Sequence, residues 1–284
     1  MLGVAPADEF SDREFRFTER DFNFLRDLVG ARAGIALNDN KRQLVYSRLV
    51  RRLRELGLKA FSDYCAILKQ DEDEELGHMI NAITTNLTSF FREPHHFEYL
   101  ADILKRLKQS QQRRIRIWSA GCSTGEEPYT IAMVVREVMG AAVGWDIKIL
   151  ASDLDTKVLA TAEQGIYDHK RVEGISSKRL SRWFRKGSGE NVGKVRVARS
   201  LRDLVAFRQL NLMDNPWPMR GPFDIIFCRN VVIYFNKDTQ RELFKRMDSM
   251  LSADGRLLVG HSESLFKVSD RFKLCGKTTY RKCA

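Results

Sequence analysis

Short apolar runs alternate with stretches of helical spacing from residue 115 onward, a rhythm that few architectures satisfy. The runs are IRIWS (115–119), IKILAS (147–152), VAFRQL (205–210), FDIIFC (223–228) and GRLLVG (255–260). Runs this short, separated by helix-length segments, are the pattern of a parallel sheet with crossover helices. Two closing runs, RFKLC and TTYRKC, flank a turn at Gly276 and read as a terminal hairpin. Five parallel strands plus that hairpin predict a seven-stranded α/β sheet. Residues 165–203 break the alternation with SSKRLSRWF, the Gly-rich turn KGSGENVGK and VRVARSL, which together read as an inserted hairpin subdomain.

The first 84 residues differ in kind. They read as all-helical, with apolar residues spaced three and four apart at Phe22, Leu25 and Leu28 and again at Val45, Leu49, Leu53 and Leu56. At 100° per residue the second set forms an ordinary core-facing stripe. Lys41, Arg48, Arg52 and Lys59 fall in a wedge of about 40° beside it. Residues 41–59 hold seven basic residues against Glu55 alone, which favours a docking surface over a solvated face of mixed sign. The run DEDEE (71–75) reads as the acidic start of a further helix. The expected division is residues 1–84, a helical docking domain, and 85–284, an α/β domain.

Charge supports the same division. The chain carries a formal +11 over 284 residues, with 13 basic against 15 acidic residues up to residue 84 and 35 against 22 beyond it. Residues 170–202 alone have eleven basic residues against Glu173 and Glu190. A composition of 43% hydrophobic and 30% charged residues with only 6 Pro excludes wholesale disorder and low-complexity classes. No apolar run approaches the roughly 18 residues of a membrane span, and the first residues are acidic, so the chain is expected to be soluble and cytoplasmic. Five scattered cysteines without a C-x-x-C pair indicate neither a disulfide framework nor a zinc site. His95 and His96 read as ordinary helix-surface residues, and no metal is expected.

The run IRIWS leads into AGCSTGEEPYTIAMVV, so a loop with Gly121 and Gly125 joins a strand to a helix where doubly wound folds bind nucleotides. The spacing is G-x-x-x-G rather than the dinucleotide G-x-G-x-x-G. A pyrophosphate at this helix N-terminus would meet Glu126 and Glu127, which disfavours NAD. S-adenosylmethionine, with its sulfonium and ammonium, suits such carboxylates. The second strand ends in Asp153, an acidic group placed to accept hydrogen bonds from ribose hydroxyls. FDIIFCRNVVIYF ends a strand in Arg229 and Asn230 with Tyr234 close behind, and it lacks the [DNS]-P-P-[YF] element of base N-methyltransferases.

Five ordered motifs, ITTNLTSFFRE (83–93), SAGCSTGEEPY (119–129), ASDLD (151–155), FCRNVVIYF (227–235) and GHSES (260–264), resemble the CheR-type chemotaxis receptor methyltransferases over about residues 15–280. The resemblance implies a Rossmann-like class I S-adenosylmethionine-dependent methyltransferase with a seven-stranded sheet, a small antiparallel β insertion and an all-helical N-terminal domain. It implies methyl transfer from S-adenosylmethionine to glutamate side chains on cytoplasmic receptor helices, giving γ-methyl esters and S-adenosylhomocysteine. Carried over by motif, the cofactor contacts would be Asn86, Thr88, Arg92, Gly121, Glu127 rather than Glu126, Asp153, Asn211, Leu212, Arg229 and Asn230. Arg92 and Tyr234 would lie near the transferred methyl. The implied partner is the cytoplasmic domain of transmembrane chemoreceptors, reached through the basic helix and recruited to receptor arrays. Some members also tether a receptor C-terminal tail on the small β-subdomain, and that choice stays open here.

The competing class is an RNA-modifying methyltransferase that uses the basic insertion to bind nucleic acid. Against it, the insertion lacks the interleaved aromatic series that single-stranded RNA recognition needs. A third reading, a non-catalytic sensor of S-adenosylmethionine, sits poorly with all five motifs being present.

Overall fold

The computed structural model describes residues 14–70, 74–84, 86–141 and 143–283. The chain divides into two compact units, residues 1–84 and 85–284.

The first unit contains α1 (Glu19–Ala33), α2 (Arg42–Glu55), α3 (Phe61–Gln70) and α4 (Glu74–Ile83). Thr18 begins α1 with a capping box: its hydroxyl accepts from Asp21 N at 3.2 Å, and Asp21 Oδ2 accepts from Thr18 N at 2.9 Å. Gly34, at φ 71°, ends the helix with a left-handed cap. The core gathers Phe22, Leu25, Val29, Leu49, Leu53, Phe61 and Tyr64. The expected Leu28 is only half-buried, because the next turn inward belongs to Val29. Val45, Leu49 and Leu53 are fully buried, whereas Leu56 lies past the helix end and is half-buried.

The expected row of free positive charge on α2 changes character. Lys41 and Lys59 lie outside the helix, so the 100° count does not align them with it. Arg48 donates to the carbonyls of Ile83 (2.7 Å) and Thr84 (2.6 Å), closing the C-terminal end of α4. Arg52 holds Glu75 through Nε (2.9 Å) and Nη2 (2.6 Å), and Tyr64 Oη donates to the same carboxylate at 2.8 Å. Glu74 and Glu75 open α4, while Asp71, Glu72 and Asp73 lie outside the described residues.

The second unit runs α5 (His95–Gln109), β1 (Arg114–Ala120), α6 (Glu126–Met139), β2 (Asp146–Asp153) and α7 (Thr156–Gln164). It continues through β3 (Ile166–Asp168), α8 (Ser177–Trp183), β4 (Phe184–Lys186), β5 (Lys194–Val197), α9 (Arg199–Arg202) and β6 (Val205–Gln209). It closes with β7 (Phe223–Cys228), α10 (Lys237–Met250), β8 (Leu251–Val259), β9 (Phe272–Gly276) and β10 (Thr279–Lys282). The seven-stranded sheet has the order β6-β2-β1-β7-β8-β10-β9. Neighbours from β6 to β8 pair in parallel, and β10 runs antiparallel to both β8 and β9. Strand order reverses between β1 and β7, so the carboxyl ends of β1, β2 and β7 open a crevice at the switch point.

The insertion forms a three-stranded antiparallel sheet, β3-β5-β4. Along β5, Val195 and Val197 point into the core while Lys194 and Arg196 are exposed, the period-two pattern of a sheet with one wet face. The insertion also braces the glycine loop: Tyr167 Oη donates to Thr124 O at 2.7 Å, and Arg171 pairs with the buried Glu126.

Burial pushes the Glu75 carboxyl up, but its hydrogen bonds from Arg52 and Tyr64 outweigh that and hold it below the usual value of 4.5. A depressed folded value stabilises above the unfolded one and ceases to do so as pH falls through it. Glu75→Ala is therefore expected to destabilise the helical unit by about 3 kcal/mol at pH 7. Hydrogen exchange of the α2 and α4 amides checks this, and the difference between variant and parent should shrink below about pH 4.5.

Candidate cofactor crevice

The glycine loop is held open by backbone geometry. Gly121 sits at φ 78°, its N–H donates to Ser152 O at 2.8 Å, and a Cβ there would run into Val231 Cγ2. Only glycine combines that left-handed backbone with so close a neighbour. The two glutamates that follow part company. Glu126 is fully buried and faces Arg171 and the Thr124 hydroxyl (2.6 Å), so it fastens the loop to the insertion. Glu127 turns toward the switch point, where Oε1 accepts from Ser119 Oγ at 2.7 Å and Oε2 from Arg229 at 2.9 Å. Burial raises the Glu127 carboxyl above its ordinary value despite Arg229.

Asp153, at the end of β2, accepts from Ser123 N at 2.7 Å and Asp155 N at 3.0 Å, and burial raises its carboxyl too. Asp155 caps α7 through Lys157 N (2.8 Å) and accepts from Asn86 Nδ2 at 2.9 Å, while Ser123 Oγ donates to Asn86 O at 3.2 Å. Asn86 is thereby tied to both the glycine loop and the end of β2. After β6, Leu210 N donates to Asp153 O at 2.9 Å, which brings Asn211 to the same edge. Asn211 Oδ1 accepts from Met213 N at 2.9 Å, and Leu212 is buried with its carbonyl accepting from Arg246 at 3.0 Å. Thr88 is half-buried between Leu87 and Ser89, both exposed.

At the end of β7, Arg229 is a buried cation between Glu93 (3.2 Å) and Glu127 (2.9 Å), and it also donates to Arg92 O at 2.5 Å. Asn230 adopts φ 59°, and its N–H donates to Glu263 Oε2 at 2.8 Å. Glu263 also accepts from Gly260 N (2.6 Å) and Ile233 N (3.3 Å), so one buried carboxylate gathers the loops after β7 and β8. Arg92 is half-buried; its guanidinium donates to Leu87 O at 2.8 Å and forms no ion pair among the described residues. Tyr234 ends the short turn Val232–Tyr234, and its hydroxyl makes no hydrogen bond among the described residues.

His96 departs from expectation. It is fully buried, with Nε2 held by Thr278 Oγ1 at 2.9 Å and Lys277 O at 3.2 Å. Burial and the charge on Arg229 push its pKa down to about 3, so it is neutral at physiological pH. Glu93 is held down to about 2: burial raises it, and the His261 and Arg229 contacts more than offset that. Glu93, His95 and His96 each bring a ligand atom within 4.8 Å of the others. The Arg229 guanidinium already supplies the positive charge beside Glu93 that a metal ion would bring. Glu93, His261 and Glu263 escaped residue-level reading, although Glu93 and the GHSES segment lay inside motifs singled out above. Glu93 meets His261 across 168 residues of chain, and Glu263 meets Asn230 across 33.

The residues fit S-adenosylmethionine by their chemistry. Glu127 and Asp153 are buried carboxylates whose pKa values remain raised, so a cationic ligand beside them would be favoured. A switch-point crevice of this polarity on a sheet of this order defines a class I S-adenosylmethionine-dependent methyltransferase.

Residues 86–281 match the CheR methyltransferase SAM binding domain, and residues 20–84 match the CheR methyltransferase all-alpha domain. The chain is 46% identical over 280 residues to chemotaxis protein methyltransferase 2 of Pseudomonas aeruginosa, covering 99% of each. It is 46% identical over 265 residues to the chemotaxis protein methyltransferase of Escherichia coli, covering 93% of this chain and 91% of that one. The chain therefore belongs to the CheR methyltransferase family, and it is an S-adenosylmethionine-dependent protein-glutamate O-methyltransferase of chemotaxis.

Gly121→Ala is expected to weaken S-adenosylhomocysteine binding by about tenfold or more, since it strains the backbone and crowds Val231. Calorimetric titration with unchanged circular dichroism would bear this out. Unaltered affinity would remove the loop from the cofactor site.

Proposed function

We propose that this enzyme methylates glutamate side chains on the cytoplasmic helices of chemoreceptors, with Arg92 and Tyr234 at the transferred methyl. Asn86, Thr88, Gly121, Glu127, Asp153, Asn211, Leu212, Arg229 and Asn230 hold the cofactor. The observation that carries the residue roles is the guanidinium of Arg92, which makes no ion pair among the described residues while its backbone is clamped by Arg229 to the glutamate of the glycine loop.

When bound, S-adenosylmethionine supplies a methyl group activated by its sulfonium. The accepting glutamate is ionised at neutral pH, with an ordinary pKa of about 4.3, so no general base is required. Arg92 pairs with that carboxylate and aims one oxygen at the methyl carbon, and Tyr234 donates a hydrogen bond to the other. Opposite charges neutralise as the ester bond forms, so alignment and exclusion of water contribute most of the acceleration. Glu127 would hold the ammonium of the cofactor and Asp153 its ribose.

Recognition of the receptor is assigned to two basic surfaces. On the helical unit, Lys41, Arg51 and Lys59 are exposed, whereas Arg48 and Arg52 hold α4 and act as its scaffold. On the insertion, Arg185, Lys186, Lys194 and Arg196 are exposed around the edge strands β3 and β4, which suit an acidic receptor tail added as a strand. The enzyme then works in the cytoplasm at receptor arrays. Among the described residues no helix is long and apolar enough to cross a membrane. The RNA reading finds no support: Tyr167, Trp183 and Phe184 are buried in the core and offer no platform for stacked bases.

Radiolabelled methyl from S-adenosylmethionine is expected to enter receptor cytoplasmic fragments as a base-labile ester that releases methanol. Label stable to base would overturn glutamate as the acceptor. Arg92→Ala should fold normally and lose about 100-fold or more in turnover. If receptor fragments lacking their last residues are methylated as fast as intact ones at low concentration, the tail plays no tethering role.

A further inference from the structure

Arg92 lies between two residues in left-handed backbone, Phe91 at φ 55° and Glu93 at φ 56°. Neither is glycine, and such conformations persist only where the surroundings over-determine them. The restraint is visible in the contacts of Glu93, whose side chain is 10% exposed. Its Oε1 accepts from His261 N at 3.3 Å and lies 2.8 Å from His261 Nδ1. Its Oε2 stands 3.2 Å from Arg229, and that same guanidinium grips Arg92 O at 2.5 Å and Glu127 at 2.9 Å. Every one of these groups belongs to the crevice: the segment before α5, the end of β7, the first turn of α6 and the loop after β8.

We infer that Glu93 is a positioning residue for methyl transfer, which through Arg229 and His261 fixes the backbone that presents Arg92. This rests on the role of Arg92 given above. A bound guanidinium alone would not suffice, because Arg229 paired with Glu127 only could rotate away from the Arg92 carbonyl. Glu93 supplies the second anchor, and His261 locks the carboxylate to a loop that Glu263 already holds.

The experiment compares the full-length enzyme with Glu93→Gln, His261→Ala and Arg92→Ala, measuring kcat and KM for a receptor cytoplasmic fragment and Kd for S-adenosylhomocysteine. Glu93→Gln leaves Arg229 paired with Glu127, so the fold and the cofactor carboxylate persist. Its kcat should fall about tenfold with Kd and KM within about threefold of the parent. His261→Ala alters an exposed side chain and should lower kcat by about threefold without changing the melting temperature. If Glu93→Gln loses cofactor affinity as much as turnover, or if both variants keep the parent kcat, the inference is overturned. If instead Arg92→Ala retains turnover, it is the Arg92 assignment that fails, and the two failures are distinct.

Discussion

Arg229 carries its charge at the carboxyl end of β7 with a side chain only 2% exposed, between the carboxylates of Glu93 and Glu127. Removing three charges from water is costly, and a buried ion pair is weak evidence for stability. What this one provides is connection. The guanidinium reaches the segment before α5, through the Glu93 carboxylate and the Arg92 backbone, and the first turn of α6, so these two pieces and the end of β7 are tied at the switch point of the sheet. Two carboxylates around one cation leave the cluster net negative, and Asp153 and Asp155 add to it across the end of β2. The crevice is acidic inside a chain of formal charge +11.

That contrast explains how one enzyme serves two ligands of opposite sign. The raised carboxyls of Glu127 and Asp153 favour a cationic cofactor. Exposed basic residues lie on β5 of the insertion and, in the helical unit, around α2. Part of the basic excess is structural, because Arg48, Arg52, Arg171 and Arg179 each hold a helix or a loop in place.

The parallel strands were legible because each contains a short apolar run bounded by helix-length segments. The glycine loop was legible for a similar reason, since Gly121, Gly125 and the two glutamates are contiguous. Illegible features depend on partners far along the chain. Arg52 read as a docking charge because Glu75 lies 23 residues on and its approach is set by how α2 and α4 pack. His96 read as exposed because the threonine that receives it arrives 182 residues later, on the hairpin at the sheet edge. Glu93 read as part of a motif without a role, since its left-handed backbone and its bond to His261 exist only once β7 and β8 are neighbours.

An acidic crevice suits the cofactor and opposes the substrate. Like charges roughly 8 Å apart repel by about 2 kcal/mol at an effective dielectric near 20, whereas opposite charges at about 4 Å attract by about 4 kcal/mol. One guanidinium at the nearer distance therefore offsets about two carboxylates at the farther one for an incoming glutamate. Among the described residues Arg92 makes no ion pair that would compete for it, although its immediate neighbour Glu93 is a carboxylate. The neighbour is kept away by being turned inward, at φ 56°, onto Arg229 and His261. The strained segment thus has a chemical reason: it sends adjacent acidic and basic side chains to different partners, Glu93 into the buried cluster and Arg92 onto the Leu87 carbonyl.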